Sequence, residues 1–478
     1  MMLDSQIRED SGYSWVMAQL DPASPFGRTL ARDPHWYGPG EESVLEAEFN
    51  RIATLLDVLK NTPEYAEAVL HVLSEFHDMR NSFHRASNVP MDEVELFEVK
   101  HFLLCLERLA THFSDLPLMD GLTILPITDM LDLLDPSGRR LPPFSVENAF
   151  EPSLERIRED KARIESELRA VTDATHKEEL MKERRALVDA EDKAEYAARQ
   201  RLTTALLREK ERFFSAMDAI ARLDVILAKA RLARKHGCIR PTLTMERIVT
   251  AEDLVHPGVA ARLEDRNRSF TSVSVTLEQG STVITGANMG GKSVSLKSIT
   301  LNLLLLHTGF FVFARSMSSP LFHSVALICA DGQSADQGLS SFGAEITTLN
   351  NILSSQEGKF FFLALDEFAR GTNPHEGAAL AKALTEYLNS LNCIALLTTH
   401  YDGVSDAARR HYQVAGLSAP EHGILTGNAL ERLADLMDYH LIPAPPGAPC
   451  PHDALRVCKL LGLNGNLTDI FASSTKNS

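Results

Sequence analysis

The sequence lacks the features that mark a disulfide framework, a zinc site or a membrane segment. Its six cysteines are scattered and none forms a C-x-x-C pair, which argues against both zinc binding and a disulfide framework. The N-terminal stretch MMLDSQIREDSGYSW carries acids and no apolar core of the kind that signal peptides have. The most apolar run, residues 301–314, is too interrupted to span a bilayer. We therefore expect a soluble, cytoplasmic protein.

Positive charge is also in short supply. The chain has 48 lysines and arginines against 65 acids, which gives a net charge of −17. An acidic surface repels a polyanion over distances set by the Debye length, so any contact with nucleic acid must use a local patch. The length of 478 residues and the hydrophobic fraction of 44% predict a globular protein with two or three structural units.

Proline and glycine are almost missing between residues 153 and 234, where Ala, Glu, Lys, Arg and Leu dominate. This composition predicts long helices, as a helical hairpin or a coiled coil. Charges of both signs are interspersed there, so the segment is either a solvated arm or a specific binding surface. Residues 1–144 repeat apolar positions at helical spacing, which predicts an all-helical N-terminal part. After Pro241, short apolar runs alternate with helical patterns, which indicates an α/β region with a largely parallel, covered sheet.

A phosphate-binding motif lies in this α/β region. Residues 286–293, GANMGGKS, fit the pattern GxxxxGK[ST], with a strand-like run before them and a helical pattern after them. Glycines let the backbone N–H groups approach phosphates, Lys292 would reach the β- and γ-phosphates, and Ser293 would ligate Mg²⁺. The alternative is an ordinary glycine-rich turn, but the flanking strand and helix favour a nucleotide site.

Two acids and a histidine follow at the ends of later strands. The run FFFLAL, residues 360–365, predicts a buried strand that ends in Asp366 and Glu367. Asp366 would hold the Mg²⁺ shell and Glu367 would act as general base on the attacking water; otherwise the acids only favour a helix N-terminus. The run CIALLTTH ends at His400, which is either structural or a sensor of the γ-phosphate.

The polar, glycine-bearing segment 331–346 lies between these motifs and runs into a helical pattern. A helix N-terminus with serine hydroxyls can bind a γ-phosphate, including that of a partner subunit.

Four blocks of the sequence resemble the MutS family of ATPases, best known for DNA mismatch repair. In chain order they are TGANMGGKS, GLSSFGAEI, LDEFARGTNPHEGAALAKAL and LLTTHY. Upstream, FTSVSVTL places Phe270 where family members stack an aromatic ring on adenine. The N-terminal helices resemble, at lower specificity, the family's core and lever region.

The resemblance implies Mg²⁺-dependent ATP hydrolysis by a homodimer that acts as a conformational switch. The implied catalytic residues are Glu367 and His400, and the implied Mg²⁺ ligands are Ser293 and Asp366. The implied nucleotide-binding residues are Phe270, Gly286, Asn288, Met289, Gly290, Gly291, Lys292, Ser293 and Ser340, the last of them across the dimer interface.

The sequence also departs from the family. Ala287 replaces a common proline and Val294 stands where threonine is usual, but neither contacts phosphate by its side chain. No segment resembles the family's mismatch-reading module. The acidic-pair and signature blocks are closer to the second bacterial branch, which is associated with recombination control and ribosome rescue. Residues 437–463 loosely resemble short MutS-like ATPases thought to reactivate the cobalamin-dependent lysine 5,6-aminomutase, although an ordinary C-terminal helix would fit them too.

Two functions therefore remain open at the level of the sequence. The first is a DNA-binding ATPase in mismatch repair or recombination control, and the second is an ATP-dependent reactivase of a cobalamin-dependent aminomutase. A structural protein with an inactive nucleotide site is disfavoured by Lys292, Asp366 and Glu367. We predict a helical core and lever domain over residues 1–150 and a long-helix arm, a reduced clamp, over 151–238. A P-loop ATPase domain with a C-terminal helical dimerisation tail is predicted over 239–478.

Overall fold

Helices make up the first half of the protein, and among the described residues the strands begin at Thr242. A computed structural model of the chain describes residues 4–114, 119, 121–287, 291–329, 341–418, 429–450 and 453–476. The helices up to residue 236 are α1 (Ser5–Asp10), α2 (Tyr13–Gln19), α3 (Pro25–Ala31), α4 (Glu42–Asn61), α5 (Pro63–Ser74), α6 (Arg80–Ala86), α7 (Glu93–Ser114), α8 (Thr128–Leu134), α9 (Ser153–Ala170), α10 (Ala174–Arg208) and α11 (Lys210–His236). The all-helical N-terminal part and the long helices after residue 153 are confirmed for the described residues.

The second half alternates strands with helices. Its strands are β1 (Thr242–Leu243), β2 (Ile248–Leu254), β3 (Val273–Glu278), β4 (Gly280–Thr285), β5 (Ser316–Ser319), β6 (Ser324–Cys329), β7 (Phe361–Asp366), β8 (Cys393–Thr399), β9 (Arg410–Leu417) and β10 (Met437–Ala444). Its helices are α12 (Pro257–Glu264), α13 (Lys292–His307), α14 (Ser341–Ser355), α15 (Pro374–Leu388), α16 (Ala429–Asp435), α17 (Ala454–Leu460) and α18 (Gly465–Lys476).

Two sheets are formed by these strands. The larger one has the order β10-β9-β4-β8-β7-β6, in which the five strands from β9 to β6 run parallel and β10 is antiparallel to β9. The smaller one has the order β1-β5-β2-β3. Every residue of β4 and β8 is buried, as expected for central strands of a covered parallel sheet. The predicted parallel α/β architecture is confirmed.

Helix α13 lies deep in the α/β part of the protein. Thirteen of its sixteen residues are buried, among them a continuous run from Ser298 to His307. A helix that is buried on all sides belongs to the interior of a domain. Because α13 begins at Lys292, its position fixes the start of the phosphate-binding segment.

The described chain divides into two compact units. One comprises residues 1–20, 34–53 and 229–478, and the other comprises residues 21–33 and 54–228. The second unit is built around aromatic side chains: Phe76 and Phe102 have ring centroids 5.3 Å apart, and Phe83 and Phe213 are 4.9 Å apart. The sequence-based division at residues 150 and 238, and the lever arrangement, stay predictions.

The arm contained in the second unit is a helical hairpin. Arg158 of α9 pairs with Glu191 and Glu195 of α10 at 3.0 and 2.8 Å, while Glu165 pairs with Arg184 at 2.9 Å. Residues later in α9 thus meet residues earlier in α10, so the two helices run antiparallel. None of the helices in the described part of the chain combines the length and hydrophobicity that a membrane crossing requires.

Candidate functional site

Three adjacent parallel strands bring the predicted catalytic segments together. In the sheet β8 lies between β4 and β7, with Thr285 opposite Thr399 and Asp366 opposite Thr398. The phosphate-binding segment follows β4, the acidic pair ends β7 and His400 follows β8. Since the carboxyl ends of parallel strands share one edge of a sheet, residues far apart in sequence meet at a single site.

The P-loop lysine lies at this edge and is almost completely buried. Lys292 is 3% exposed, and its Nζ donates to the carbonyl oxygens of Gly286 and Ala287 at 2.8 and 3.0 Å. The same Nζ lies 3.4 Å from Oε1 of Glu367. Burial lowers the pKa of Lys292, and the Glu367 carboxylate opposes this shift. The described partners of the ammonium group are thus all acceptors, and an anionic phosphate oxygen would be a stronger partner than either carbonyl.

Asp366 and Ser293 form the part of the site that fits a divalent cation. Ser293 Oγ donates to Asp366 Oδ1 at 2.8 Å, and Thr398 Oγ1 donates to the same oxygen at 2.7 Å. Hydroxyl and carboxylate oxygens are the ligands that Mg²⁺ prefers. Thr398, which the sequence analysis did not single out, therefore contacts the proposed metal ligand directly. In the sequence, Thr398 is marked by nothing more than its position in the run TTH that ends at His400.

Glu367 occupies an uncommon backbone conformation. Its φ is +49°, and its N–H donates to the hydroxyl and the carbonyl oxygen of Thr398 at 3.0 and 3.2 Å. Its Oε2 accepts from Arg370 at 3.1 Å, while Oε1 faces Lys292. The carboxylate thus contacts the P-loop lysine through one oxygen and Arg370 through the other. The sequence analysis did not assign Arg370.

His400 lies beside this carboxylate. Its Nδ1 is 4.0 Å from Glu367 Oε1 and, although shielded from solvent, has no hydrogen-bond partner in the part of the chain that the structure describes. Burial lowers the pKa of His400, so the neutral ring predominates at pH 7. A shielded nitrogen without a partner is available to a ligand at the site.

A cavity of about 590 Å³ adjoins the P-loop. Its walls include Phe270, Val294 and Ser295, and Tyr439 from β10. A side chain at Gly291 would come within 2.9 Å of the Tyr439 ring, and the φ of +79° there also favours glycine. The volume lies in the range of small-molecule sites. Phe270 therefore lies in the wall of a cavity beside the phosphate-binding segment, and its contact with adenine stays a prediction. Tyr439 is a wall residue that the sequence analysis did not name.

Four predicted site residues lie outside the described residues: Asn288, Met289, Gly290 and Ser340. The helix that follows Ser340, α14, contributes Glu345 to the site's surroundings, since its buried carboxylate accepts from the N–H of Ala369 at 3.1 Å. The sequence analysis quoted this glutamate within the signature block but gave it no role.

A second group of potential metal ligands, outside this site, is formed by Glu75, His101 and Cys105. Arg108 donates to both oxygens of Glu75 at 2.7 and 3.0 Å. Burial, followed by the charge of Glu75, raises the pKa of the Cys105 thiol to about 12. Both oxygens of the Glu75 carboxylate are thus engaged in an ion pair with Arg108.

Comparison with known proteins agrees with this geometry. The family model of MutS domain V matches residues 282–424. Over these residues the chain is similar to the ATPase domain of the MutS family. Within the MutS-type domain lie Lys292, Ser293, Asp366, Glu367 and His400, whereas the two aromatic walls of the cavity fall outside the matched range.

Three relatives illustrate the match, each named endonuclease MutS2. The protein of Symbiobacterium thermophilum is 30% identical over 270 residues, which cover 56% of this chain and 32% of the relative. That of Thermomicrobium roseum is 34% identical over 209 residues, 42% of this chain and 26% of the relative. That of Staphylococcus epidermidis is 28% identical over 270 residues, 56% and 32% respectively. The matched regions thus span about a third or less of these MutS relatives. The sequence-based resemblance to the MutS family is confirmed.

Proposed function

We propose that this protein is an ATPase that binds and hydrolyses Mg-ATP at the edge formed by β4, β8 and β7. The observation that carries the proposal is one connected network. Lys292 faces Glu367 at 3.4 Å, while Asp366 accepts from both Ser293 and Thr398. A phosphate-binding lysine, a metal-binding pair and a carboxylate base are the parts that phosphoryl transfer requires.

Lys292 and the P-loop backbone bind the phosphates in this proposal. The ammonium group exchanges the carbonyl oxygens of Gly286 and Ala287 for phosphate oxygens, which carry more negative charge. The N-terminus of α13, which begins at Lys292, adds its free N–H groups and its dipole. The cavity walled by Phe270 and Tyr439 receives the base.

Ser293 and Asp366 would hold the Mg²⁺, since they supply adjacent oxygen ligands of the preferred type. When bound, the ion neutralises phosphate charge and orients the transferred group. Glu367 accepts a proton from the attacking water. His400 donates a hydrogen bond to a phosphate oxygen through Nδ1, which has no hydrogen-bond partner among the described residues.

The direct test is Glu367→Gln. This change keeps the size of the side chain and removes its basicity, so hydrolysis falls by about 10²- to 10⁴-fold, the usual contribution of a positioned general base. ATP binding persists because Lys292 and Ser293 are untouched. Steady-state phosphate release gives the first quantity, and equilibrium titration with a fluorescent ATP analogue gives the second.

Glu376→Gln is the matched control. Glu376 is exposed near the start of α15, and its substitution removes the same charge from the same domain. It should hydrolyse ATP at the wild-type rate. If Glu367→Gln also does so, Glu367 is not the base. If the wild-type protein neither binds nor hydrolyses ATP, the proposed function fails.

We further propose that the acting form is a cytoplasmic homodimer that uses the nucleotide cycle as a conformational switch on DNA. Support comes from the relatives, which are named endonucleases, and from the family resemblance, in which Ser340 contacts nucleotide across the dimer interface. Reactivation of a cobalamin-dependent aminomutase is the alternative if the ATPase proves indifferent to DNA.

A further inference from the structure

The loop that follows β7 is held in a strained conformation. Two of its residues, Glu367 and Ala369, have φ angles of +49° and +65°, although neither is glycine. Such conformations are unfavourable for residues with a side chain and persist only where surrounding groups impose them. The proposed base is therefore part of a loop whose shape depends on its neighbours.

Three residues outside the loop impose this shape. Thr398 of β8 accepts the N–H of Glu367, and Tyr401 donates its hydroxyl to the carbonyl oxygen of Ala369 at 3.3 Å. Glu345 of α14 accepts the N–H of Ala369 at 3.1 Å. Close packing adds to these contacts, since a side chain at Gly377 would lie 2.8 Å from both the Ala369 carbonyl and the Tyr401 hydroxyl.

Glu345 is the unusual member of this set. Glu345 is 6% exposed. Burial raises the pKa of its carboxyl group, while the hydrogen bond from the Ala369 N–H opposes this shift. An acidic side chain is costly to bury, so an apolar residue of similar size would pack at less expense in solvation. An apolar residue would not accept a hydrogen bond, however, so the buried N–H of Ala369 would be left unpaired.

We propose that Glu345 is a positioning residue for ATP hydrolysis: by holding Ala369 in its left-handed conformation, it keeps the Glu367 carboxylate directed at the P-loop. Ala369 lies only two residues beyond Glu367, so a change in its backbone rotates the loop and displaces the base from Lys292. The inference rests on the proposed ATPase function and extends it to the signature helix α14.

The experiment compares Glu345→Ala with Glu345→Gln. Loss of the acceptor in the alanine variant should lower kcat by about 10- to 10²-fold, the scale expected for a misplaced catalytic group. KM and the affinity for a fluorescent ATP analogue should stay within about threefold, because the phosphate contacts are unchanged. Glu345→Gln should recover most of kcat, since its amide oxygen accepts the same N–H. Thr347→Ala, an exposed change on the same helix, should leave all three quantities unchanged.

A second variant separates positioning from general packing. Ala369→Gly adopts positive φ without strain, so in the Glu345→Ala background it should restore part of the lost kcat. If Glu345→Ala does not fold, Glu345→Met takes its place, because methionine keeps the volume and removes the acceptor.

The outcomes distinguish a failure of the Glu345 inference from a failure of the proposed ATPase function. An alanine or methionine variant with wild-type kcat overturns the inference, and so does a glutamine variant as impaired as the alanine one. If the wild-type protein hydrolyses ATP and Glu367→Gln does not, while Glu345→Ala is normal, only the role of Glu345 is lost. If wild type shows no hydrolysis, the proposed function itself fails.

Discussion

The hydroxyl of Thr398 connects the two carboxylates of the site. Its Oγ1 donates to Asp366 and accepts from the backbone N–H of Glu367, and the residue is 1% exposed. A buried hydroxyl that serves as donor and acceptor at once fixes both neighbours relative to each other. We therefore regard Thr398 as the partner that orients the proposed metal ligand.

Thr398→Val tests this at the scale of one residue. Valine keeps the shape but offers neither bond, so the Mg²⁺ concentration for half-maximal hydrolysis should rise about tenfold, as for loss of other groups that orient metal ligands. The free energy of unfolding should fall by about 1–2 kcal/mol, because Asp366 retains Ser293 and the Glu367 N–H retains a carbonyl oxygen. Magnesium titration of the ATPase and urea unfolding measure the two effects.

Thr398→Ser is the matched control, since it preserves the hydroxyl and removes only a methyl group. Its magnesium dependence should stay close to that of wild type. Equal magnesium dependence in the valine variant and the wild type would show that Thr398 does not orient Asp366.

Among the elements, α13 is anchored at both ends. It begins at Lys292 in the proposed phosphate site and ends at His307, whose ring stacks on Trp36 with centroids 4.4 Å apart. His307 Nδ1 donates to the Tyr37 carbonyl oxygen at 2.8 Å, and Nε2 accepts from the N–H of Phe322 at 3.4 Å. These partners fix a neutral tautomer, and burial lowers the pKa of His307 to about 4 from an ordinary 6.5.

The depressed pKa predicts a loss of stability in acid. Between pH 6.5 and 4 the unfolded chain binds a proton at His307 and the folded chain does not, so the free energy of unfolding falls as the pH drops through this window. The loss from this residue reaches about 2 kcal/mol at pH 5. Urea unfolding at pH 7 and pH 5 measures it.

His307→Gln isolates the contribution, because glutamine does not titrate while other groups, including His256 with a pKa lowered to about 4 by burial, remain. The variant should lose less stability than wild type between the two pH values, whatever its stability at pH 7. Parallel losses in the two proteins would contradict a neutral, buried His307.

The helical arm shows a different use of charge. Ion pairs link α9 to α10, as those of Arg158 with Glu191 and of Arg184 with Glu165 illustrate. Partly exposed pairs of this kind contribute little to stability. The solvated-arm interpretation of this segment stays a prediction.

At the scale of the whole molecule, the net charge of −17 limits how DNA can be bound. Binding must depend on a small basic patch that forms a few phosphate contacts. For about four contacts, raising the salt from about 50 to about 200 mM should weaken binding about 10²-fold. Sedimentation velocity with labelled homoduplex, mismatched and four-way-junction DNA gives the affinity at each salt concentration and the number of chains of 52.8 kDa in the complex.

The proposed DNA-acting dimer predicts two chains for each DNA and a steep loss with salt. A complex with one chain for each DNA would contradict the dimer but leave the DNA function standing. An active ATPase that binds none of these DNAs would contradict the DNA function and direct attention to a protein client, beginning with a cobalamin-dependent aminomutase.

The sequence by itself determined the elements and the chemistry that lie in contiguous motifs. The P-loop, the acidic pair after β7 and the strand before His400 were predicted because each combines its residue types with a local periodicity that a short segment contains. The strand-like run before the P-loop and the long helices after residue 153 follow from the same local physics.

Only the tertiary structure decided which residues from different segments meet. Thr398 bonds to Asp366 across 32 residues, Glu345 bonds to Ala369 across 24, and Tyr439 of β10 closes the cavity beside Gly291. These contacts depend on strand order and helix packing, which the burial of the whole chain selects and no local pattern encodes. Hydrogen bonds between distant segments therefore complete a site whose motifs the sequence already contained.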